Sequence, residues 1–217
     1  MTDRPAHRDR PPTRTVPARD RATAPARPTR AALLRRGGIA AAGGLAGAAL
    51  LSHAGGVAAQ SPAQERDVLD LLLLVERSEV AFYREALGGA RLSGEYREYA
   101  EVVLEHEIAH VRVLEKALGS AAAGAPTFDF GDATRSEEAF AEAAARLEDV
   151  AVAAYNGQAG NVGADAFALA ARIVSVEARH AAWVRSIAGR DPSPDAVDAP
   201  QTEQEVRAAL EALGVTP

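Results

Sequence analysis

The 217-residue chain contains no cysteine. Disulfides, zinc–thiolate sites, iron–sulfur clusters and thiol nucleophiles are therefore excluded, and any metal must be held by oxygen and nitrogen ligands. Aromatic residues make up only 5% of the chain, too few for a β-sandwich core rich in the residues that strands favour. Histidine is scarce as well: of five in the chain, only His106, His110 and His180 lie beyond residue 60. The weakly apolar stretch Gly37–Leu51 is 15 residues of mostly Gly and Ala, ended by Ser52 and His53. That is short of the ~20 residues that span a bilayer.

What the chain does have is alanine and acid. Hydrophobic residues are 47% of it, and the abundance of Ala favours closely packed helices. The net charge of −6 hides a split. Residues 1–36 carry ten Arg against three Asp, a net of +7, which leaves −13 for the remainder. The part that folds is thus acidic, which argues against a nucleic-acid partner.

Residues 1–34, rich in Arg, Pro and Thr without apolar periodicity, are predicted to be disordered. Arg35-Arg36, the weakly apolar run and Val57-Ala58-Ala59 before Gln60 have the layout of an export signal with a cleavage site. The paired arginines resemble a twin-arginine signal, although Gly38 stands where that class carries a larger apolar residue. The resemblance implies engagement of the twin-arginine export machinery and a periplasmic, cell-envelope or extracellular protein. A signal that is retained as a membrane anchor is the alternative.

From residue 60 the pattern becomes helical. Ser61-Pro62-Ala63-Gln64 is a helix start, and Gly88-Gly89 stop that helix near Leu87. A second helix is expected from Ser93-Gly94 to about Leu118, and a third from a capping box at Thr134-Arg135-Ser136-Glu137 to about Tyr155. Gly157–Gly163 form a turn before a fourth helix that reaches Ala188. Between the second and third helices, only Thr127–Phe130 has any strand character. The prediction is an all-α fold: two helical hairpins joined by one long crossover, a four-helix bundle over 60–190. Residues 1–59 precede it as arm and signal. A tail, 191–217, follows with a short amphipathic helix, Val206, Leu210 and Leu213 on one side.

Each long helix carries one glutamate on its apolar face. Glu76 shares its face with Leu69, Leu72, Leu73, Val80 and Tyr83, and Glu107 with Ala100, Val103, Leu104, Val111 and Leu114. Glu148 stands among Ala141, Ala144, Ala145, Ala151, Val152 and Tyr155, and Glu177 among Ala170, Ile173, Val174, Ala181 and Val184. Four carboxylates converging on a core would be costly and mutually repulsive unless cations were shared between them. Two histidines follow core glutamates by three residues, in Glu107-Ile-Ala-His110 and Glu177-Ala-Arg-His180. A glutamate on two helices and Glu-x-x-His on the other two is the ligand pattern of a dinuclear carboxylate centre. The pairs Glu76/Glu107 and Glu148/Glu177 are each centred on their hairpin turn, which brings all of them to one level. The metal ligands predicted are therefore Glu76, Glu107, His110, Glu148, Glu177 and His180. Glu79, three residues after Glu76, competes with it or adds to it. His106 lies one step round from Glu107 and is not counted as a ligand. Tyr83 and Tyr155, each seven residues from a predicted ligand, read as core residues with satisfied hydroxyls; the alternative is a hydrogen bond to a ligand or a redox-active tyrosine.

The stretches LLLLVERSEVAFY (71–83), EHEIAHVRVLEKAL (105–118), LEDVAVAAY (147–155) and VSVEARHAAWVR (174–185) resemble the ferritin-like domain proteins related to plant desiccation-related proteins, many of them exported bacterial proteins. The resemblance covers residues 62–189. It implies a ferritin-like fold with a dinuclear metal centre, iron in preference to manganese or a mixed pair, and it favours Glu76 over Glu79. The expected function is an exported di-iron oxidoreductase that oxidises Fe(II) or reduces O2 or peroxide in envelope stress protection. The alternative is a non-catalytic metal-binding structural or desiccation protein. No catalytic residue is assigned, and a homo-oligomer is left open.

Overall fold

A computed structural model of the chain describes residues 61–89, 91–119 and 126–216. The arginine-rich arm, Arg35-Arg36 and the expected cleavage site lie outside these residues. Helix α1 runs Pro62–Gly89, α2 Gly94–Leu118, α3 Glu137–Gln158, α4 Ala164–Ile187 and α5 Glu203–Ala212. None of the described helices is long and apolar enough to cross a membrane.

Helix α1 starts where expected: the Ser61 hydroxyl accepts from the Gln64 amide at 3.1 Å. At α3 the cap differs from the sequence expectation. Ser136, not Thr134, caps it by accepting from the Ala139 amide at 3.1 Å. Thr134 instead donates its hydroxyl to Glu85 of α1 at 2.7 Å, tying the crossover to the bundle. Of the two hydroxyls in that stretch, one caps the helix and the other bonds across to α1.

The bundle's topology follows from the contacts at its ends. Ser93, at the start of α2, donates its amide and hydroxyl to Glu137, at the start of α3, at 2.7 and 2.8 Å. The Gly163 amide, just before α4, donates to Glu65 in the first turn of α1 at 2.6 Å. Helices α2 and α3 therefore begin at the end of the bundle where α1 and α4 finish. The connection from α2 to α3 must run the bundle's length, as one long crossover requires. Helix α1 packs on α2 and α3, and α4 on α3 and α2.

The crossover and the C-terminus are held together. Thr127–Phe128 (β1) pairs antiparallel with Val215–Thr216 (β2). Gly214, at φ +88, lets the chain pass the Asp129 carbonyl where any Cβ would come within 1.8 Å of it. Helix α5 packs against α3, with Val206 and Leu210 buried and a capping box between Thr202 and Glu205. The Gln201 amide bonds the Ala153 carbonyl at 3.0 Å. Gly157 is needed for this approach, since a Cβ there would meet the Gln201 carbonyl oxygen at 1.8 Å. It accordingly lies inside α3, which continues past the expected turn.

The core is built on α1 and on the alanine face of α3. Leu71, Leu72, Leu73, Val75 and Phe82 are buried on α1, opposite Ala141, Ala144, Ala151 and Ala154. Small side chains on α3 let the helices approach closely. Toward the α1–α2 turn the interior is aromatic: Phe82 stacks on Phe140 with ring centroids 5.5 Å apart, edge-on to Tyr83 and Phe130.

Candidate metal centre

Midway along the bundle the apolar interior is interrupted by acid. Glu76, Glu107, Glu148 and Glu177, one from each long helix, are all fully buried. Each is held inside because its neighbours on the same face, such as Leu72 and Leu73 beside Glu76 or Ile173 and Ala181 beside Glu177, are core residues. One turn on from the second and fourth of these stand His110 and His180, whose side chains are 12% and 3% exposed.

The six side chains meet. His110 Nδ1 lies 3.2 Å from Glu76 Oε2 and 2.9 Å from Glu107 Oε2, both hydrogen-bonded, and 2.9 Å from Glu177 Oε1. His180 Nδ1 faces Glu107 Oε1 at 3.0 Å, Glu177 Oε2 at 3.3 Å and Glu148 Oε2 at 3.4 Å. None of these three approaches has hydrogen-bond geometry, so this nitrogen is surrounded by oxygens without being bonded to any. The ligand atoms fall into two sets, each with its members within 4.8 Å of one another: Glu76, Glu107, His110 and Glu177, and Glu107, Glu148, Glu177 and His180. Glu107 and Glu177 belong to both. Each set could hold a metal ion, with two shared carboxylates between the positions.

Tyrosines fix the outer glutamates by a reciprocal exchange. Tyr83, seven residues after Glu76 on α1, donates its hydroxyl to Glu148 Oε1 on α3. Tyr155, seven residues after Glu148 on α3, donates to Glu76 Oε1 on α1. Tyr99 on α2 adds a second bond to Glu148 Oε1 at 3.2 Å and meets the Tyr83 hydroxyl at 2.9 Å. Burial, reinforced by the adjacent carboxylates, pushes all three phenols well above their usual range, so they stay protonated and donate.

The electrostatics test whether the site fits cations. Burial pushes the Glu76 carboxyl up to about 8, against the opposing bond from His110, and it pushes Glu148 up as well. Burial alone would lower the two imidazoles, but the carboxylates around them outweigh it and raise both to about 12. Without a cation, Glu76, Glu148 and both imidazoles thus hold their protons more tightly than they would in water. Even so, Glu107 Oε1, Glu148 Oε2, both oxygens of Glu177 and His180 Nδ1 are left without a hydrogen bond. Buried polar atoms are rarely left so. Hard oxygen and imidazole donors around unsatisfied carboxylates fit divalent first-row metals, and the residues present fit the group.

Glu79 and His106 complete the picture. Glu79 is fully buried, but its oxygens belong to neither set. The helix α1 member of the first set is Glu76. His106, set aside on sequence as lying off the ligand face, is no member of either set. It does touch the centre: its Nδ1 lies 2.9 Å from His180 Nε2, with the two rings stacked. With a cation replacing the second proton of the imidazole, an Nε2–H donated to His106 would leave the His180 Nδ1 lone pair free for that cation. Neither that contact nor Tyr99's was read from sequence. The signal was local, a histidine beside a core glutamate and a tyrosine eight residues before it, but each partner lies on another helix.

No curated protein sequence matches the chain. Residues 64–190 match the ferritin-like domain family. With that stretch coinciding with the four long helices and enclosing the Glu/His centre, the chain belongs to the ferritin-like domain family.

Proposed function

We propose that the bundle binds two divalent metal ions, iron in preference to manganese, through Glu76, Glu107, His110, Glu148, Glu177 and His180. The observation that carries this reading is the pair of four-residue ligand sets that share Glu107 and Glu177. An iron pair held so would supply a reversible Fe(II)/Fe(III) couple able to pass electrons to O2 or peroxide. The chain's own part is to hold the ions side by side, orient Glu76 and Glu148 through the tyrosine bonds and keep bulk water out. With ligand side chains 0–12% exposed, only reactants as small as Fe(II), O2 or peroxide would reach the ions. Oxidation of Fe(II) by O2 or peroxide, each Fe(II) giving one electron to the oxidant that is reduced, is the activity proposed, in envelope stress protection. The same seal favours a second reading, in which the ions serve the stability of a desiccation or stress protein without turnover.

Anaerobic loading with Fe(II) followed by O2 or peroxide separates the two. Consumption of oxidant above that of free Fe(II), absent in a Glu107→Ala/His110→Ala variant, is the expected result. Two bound ions with no consumption would leave the non-catalytic reading. Export through the twin-arginine route belongs to the same proposal, supported by Arg35-Arg36 and Val57-Ala58-Ala59. Cell fractionation tests it, and a protein confined to the cytoplasm would count against it.

His106 supplies a prediction of its own. Outer partners of metal-bound histidines typically account for about 10- to 100-fold in affinity. His106→Ala is expected to weaken metal binding by that order, read by competition with a chelator of known affinity. Unchanged affinity would show that the contact to His180 does not orient it.

A further inference from the structure

The unsatisfied atoms of the centre are unevenly placed. In the set containing Glu76, both of that residue's oxygens are engaged, Oε1 by Tyr155 and Oε2 by His110, and His110 Nδ1 is bonded in turn. Glu107 Oε1 and both Glu177 oxygens, which belong to residues of both sets, have no hydrogen bond; of the atoms that belong to the second set alone, Glu148 Oε2 and His180 Nδ1 have none either. The chain bonds the two residues peculiar to the first position and leaves those peculiar to the second with unbonded atoms.

Glu79 adds to this second side. It is fully buried, and neither carboxyl oxygen has a partner. Its height in the bundle is that of Glu148. The end of α1 and the start of α3 share one end of the bundle, and Glu79 lies ten residues before Gly89 while Glu148 lies eleven after Glu137. At 1.5 Å per residue, both are ~15 Å from that end. Glu76 is a turn farther down. Burial, with the neighbouring carboxylates, pushes the Glu79 carboxyl well above its usual range. Three residues after Glu148, where a two-fold repeat of the α1 pattern would put an acid on α3, stands Ala151, fully buried. The hairpins therefore supply the two positions unequally.

We propose that Glu79 is a fifth carboxylate of the centre, a further ligand for the ion framed by Glu107, Glu148, Glu177 and His180, and that this position binds metal more tightly than its neighbour. The inference rests on the two-ion reading given above and makes its positions inequivalent. Glu79 donates an oxygen that the metal-free chain leaves idle, and the site gains a donor that the Glu76 position lacks.

Mn(II), which needs no oxidant, is the probe. Calorimetric titration of the wild-type protein should show two unequal steps. Crystals grown with one equivalent of Mn(II) should show anomalous density at the Glu148/His180 position, with Glu79 at coordination distance. Glu79→Gln should weaken the tight step by at least about 10-fold, the lower end of what even indirect ligand partners contribute, and leave the weak step in place. Two ions bound by Glu79→Gln with wild-type affinities, or loaded wild-type crystals with Glu79 turned away from both ions, would overturn this inference and leave the two-ion centre standing. Failure of the wild-type protein to bind Mn(II) or Fe(II) at all would overturn that reading, and this inference with it. The crystallographic arm needs no variant, so misfolding of Glu79→Gln would not shelter the proposal.

Discussion

Replacing Glu107 or Glu177 by alanine is expected to empty both metal positions, whereas replacing Glu76 or Glu148 empties one. The difference follows from membership: the first two glutamates serve both ligand sets, the others one each. Removing a shared carboxylate takes one donor from each ion and a negative charge from between them. The remaining donors then hold two cations at close range with less charge to offset their repulsion. Loss of Glu76 leaves the second set whole, and loss of Glu148 leaves the first. Metal content after equilibration with excess Fe(II) or Mn(II) and removal of free ion should fall from two per chain to none for Glu107→Ala and Glu177→Ala. It should fall to one for Glu76→Ala and Glu148→Ala. A hydrogen-bonded acidic core without metal predicts no difference among the four. Four variants that each lost both ions would mean that the positions are not separable in the way the geometry indicates.

Chelation is expected to lower the thermal midpoint steeply, and by more at pH 9 than at pH 6. An ion held at a thousand times its dissociation constant contributes about 4 kcal/mol. At about 2–4 °C per kcal/mol for a domain of this size, two ions correspond to a fall on the order of 15–30 °C. The pH term has a definite sign. In the metal-free protein the Glu76 carboxyl titrates near 8 instead of 4.5, because of its burial, and His110 and His180 near 12 instead of 6.5, because the carboxylates outweigh burial. All three bind protons more tightly folded than unfolded. The contribution from Glu76 is complete below pH 4.5 and is lost as pH rises to 8. That from the histidines is complete below 6.5 and is lost toward 12. Between pH 6 and 9 the metal-free protein should therefore lose stability steadily. With metal bound the histidines are neutral and the carboxylates ionised, so the folded state holds fewer protons than the unfolded one and stability rises with pH through 6.5 before levelling. Melting curves with and without chelator at pH 6, 7.5 and 9 should diverge. Parallel curves would show that no ion replaces the protons.

The helices and their order were legible because their signals are local. Apolar faces of period 3.6, glycines after Leu87 and Leu118 and the spacing Glu-x-x-His each lie within one helix. Even the convergence of the glutamates on one region of the bundle could be read, since an antiparallel hairpin turns distance from the turn into height, although Glu76 and Glu148 fall in different sets. The choice between Glu76 and Glu79 could not. Three residues on a helix are separated by about 60° of rotation, so both face inward, and only the rotation of α1 against its neighbours decides which oxygen His110 meets. The reciprocal bonds of Tyr83 and Tyr155 were beyond reach for a related reason. Each tyrosine lies on the face of its own helix's glutamate, yet it serves the glutamate across the bundle. His106, one step round from Glu107 and not counted as a ligand, is exposed, but one ring nitrogen reaches His180. The bond of Thr134 to Glu85 and the packing of α5 through Gln201 on Ala153 likewise join residues far apart in sequence.

The most direct test of the account is a crystal structure of the Fe(II)- or Mn(II)-loaded protein with anomalous data collected at the metal edge. The prediction is two ions per chain inside the bundle, both touching Glu107 and Glu177, one ligated by His110 and the other by His180. A core without anomalous density at full loading, or ions confined to the acidic surface while Glu107 and Glu177 keep their metal-free positions, would contradict it.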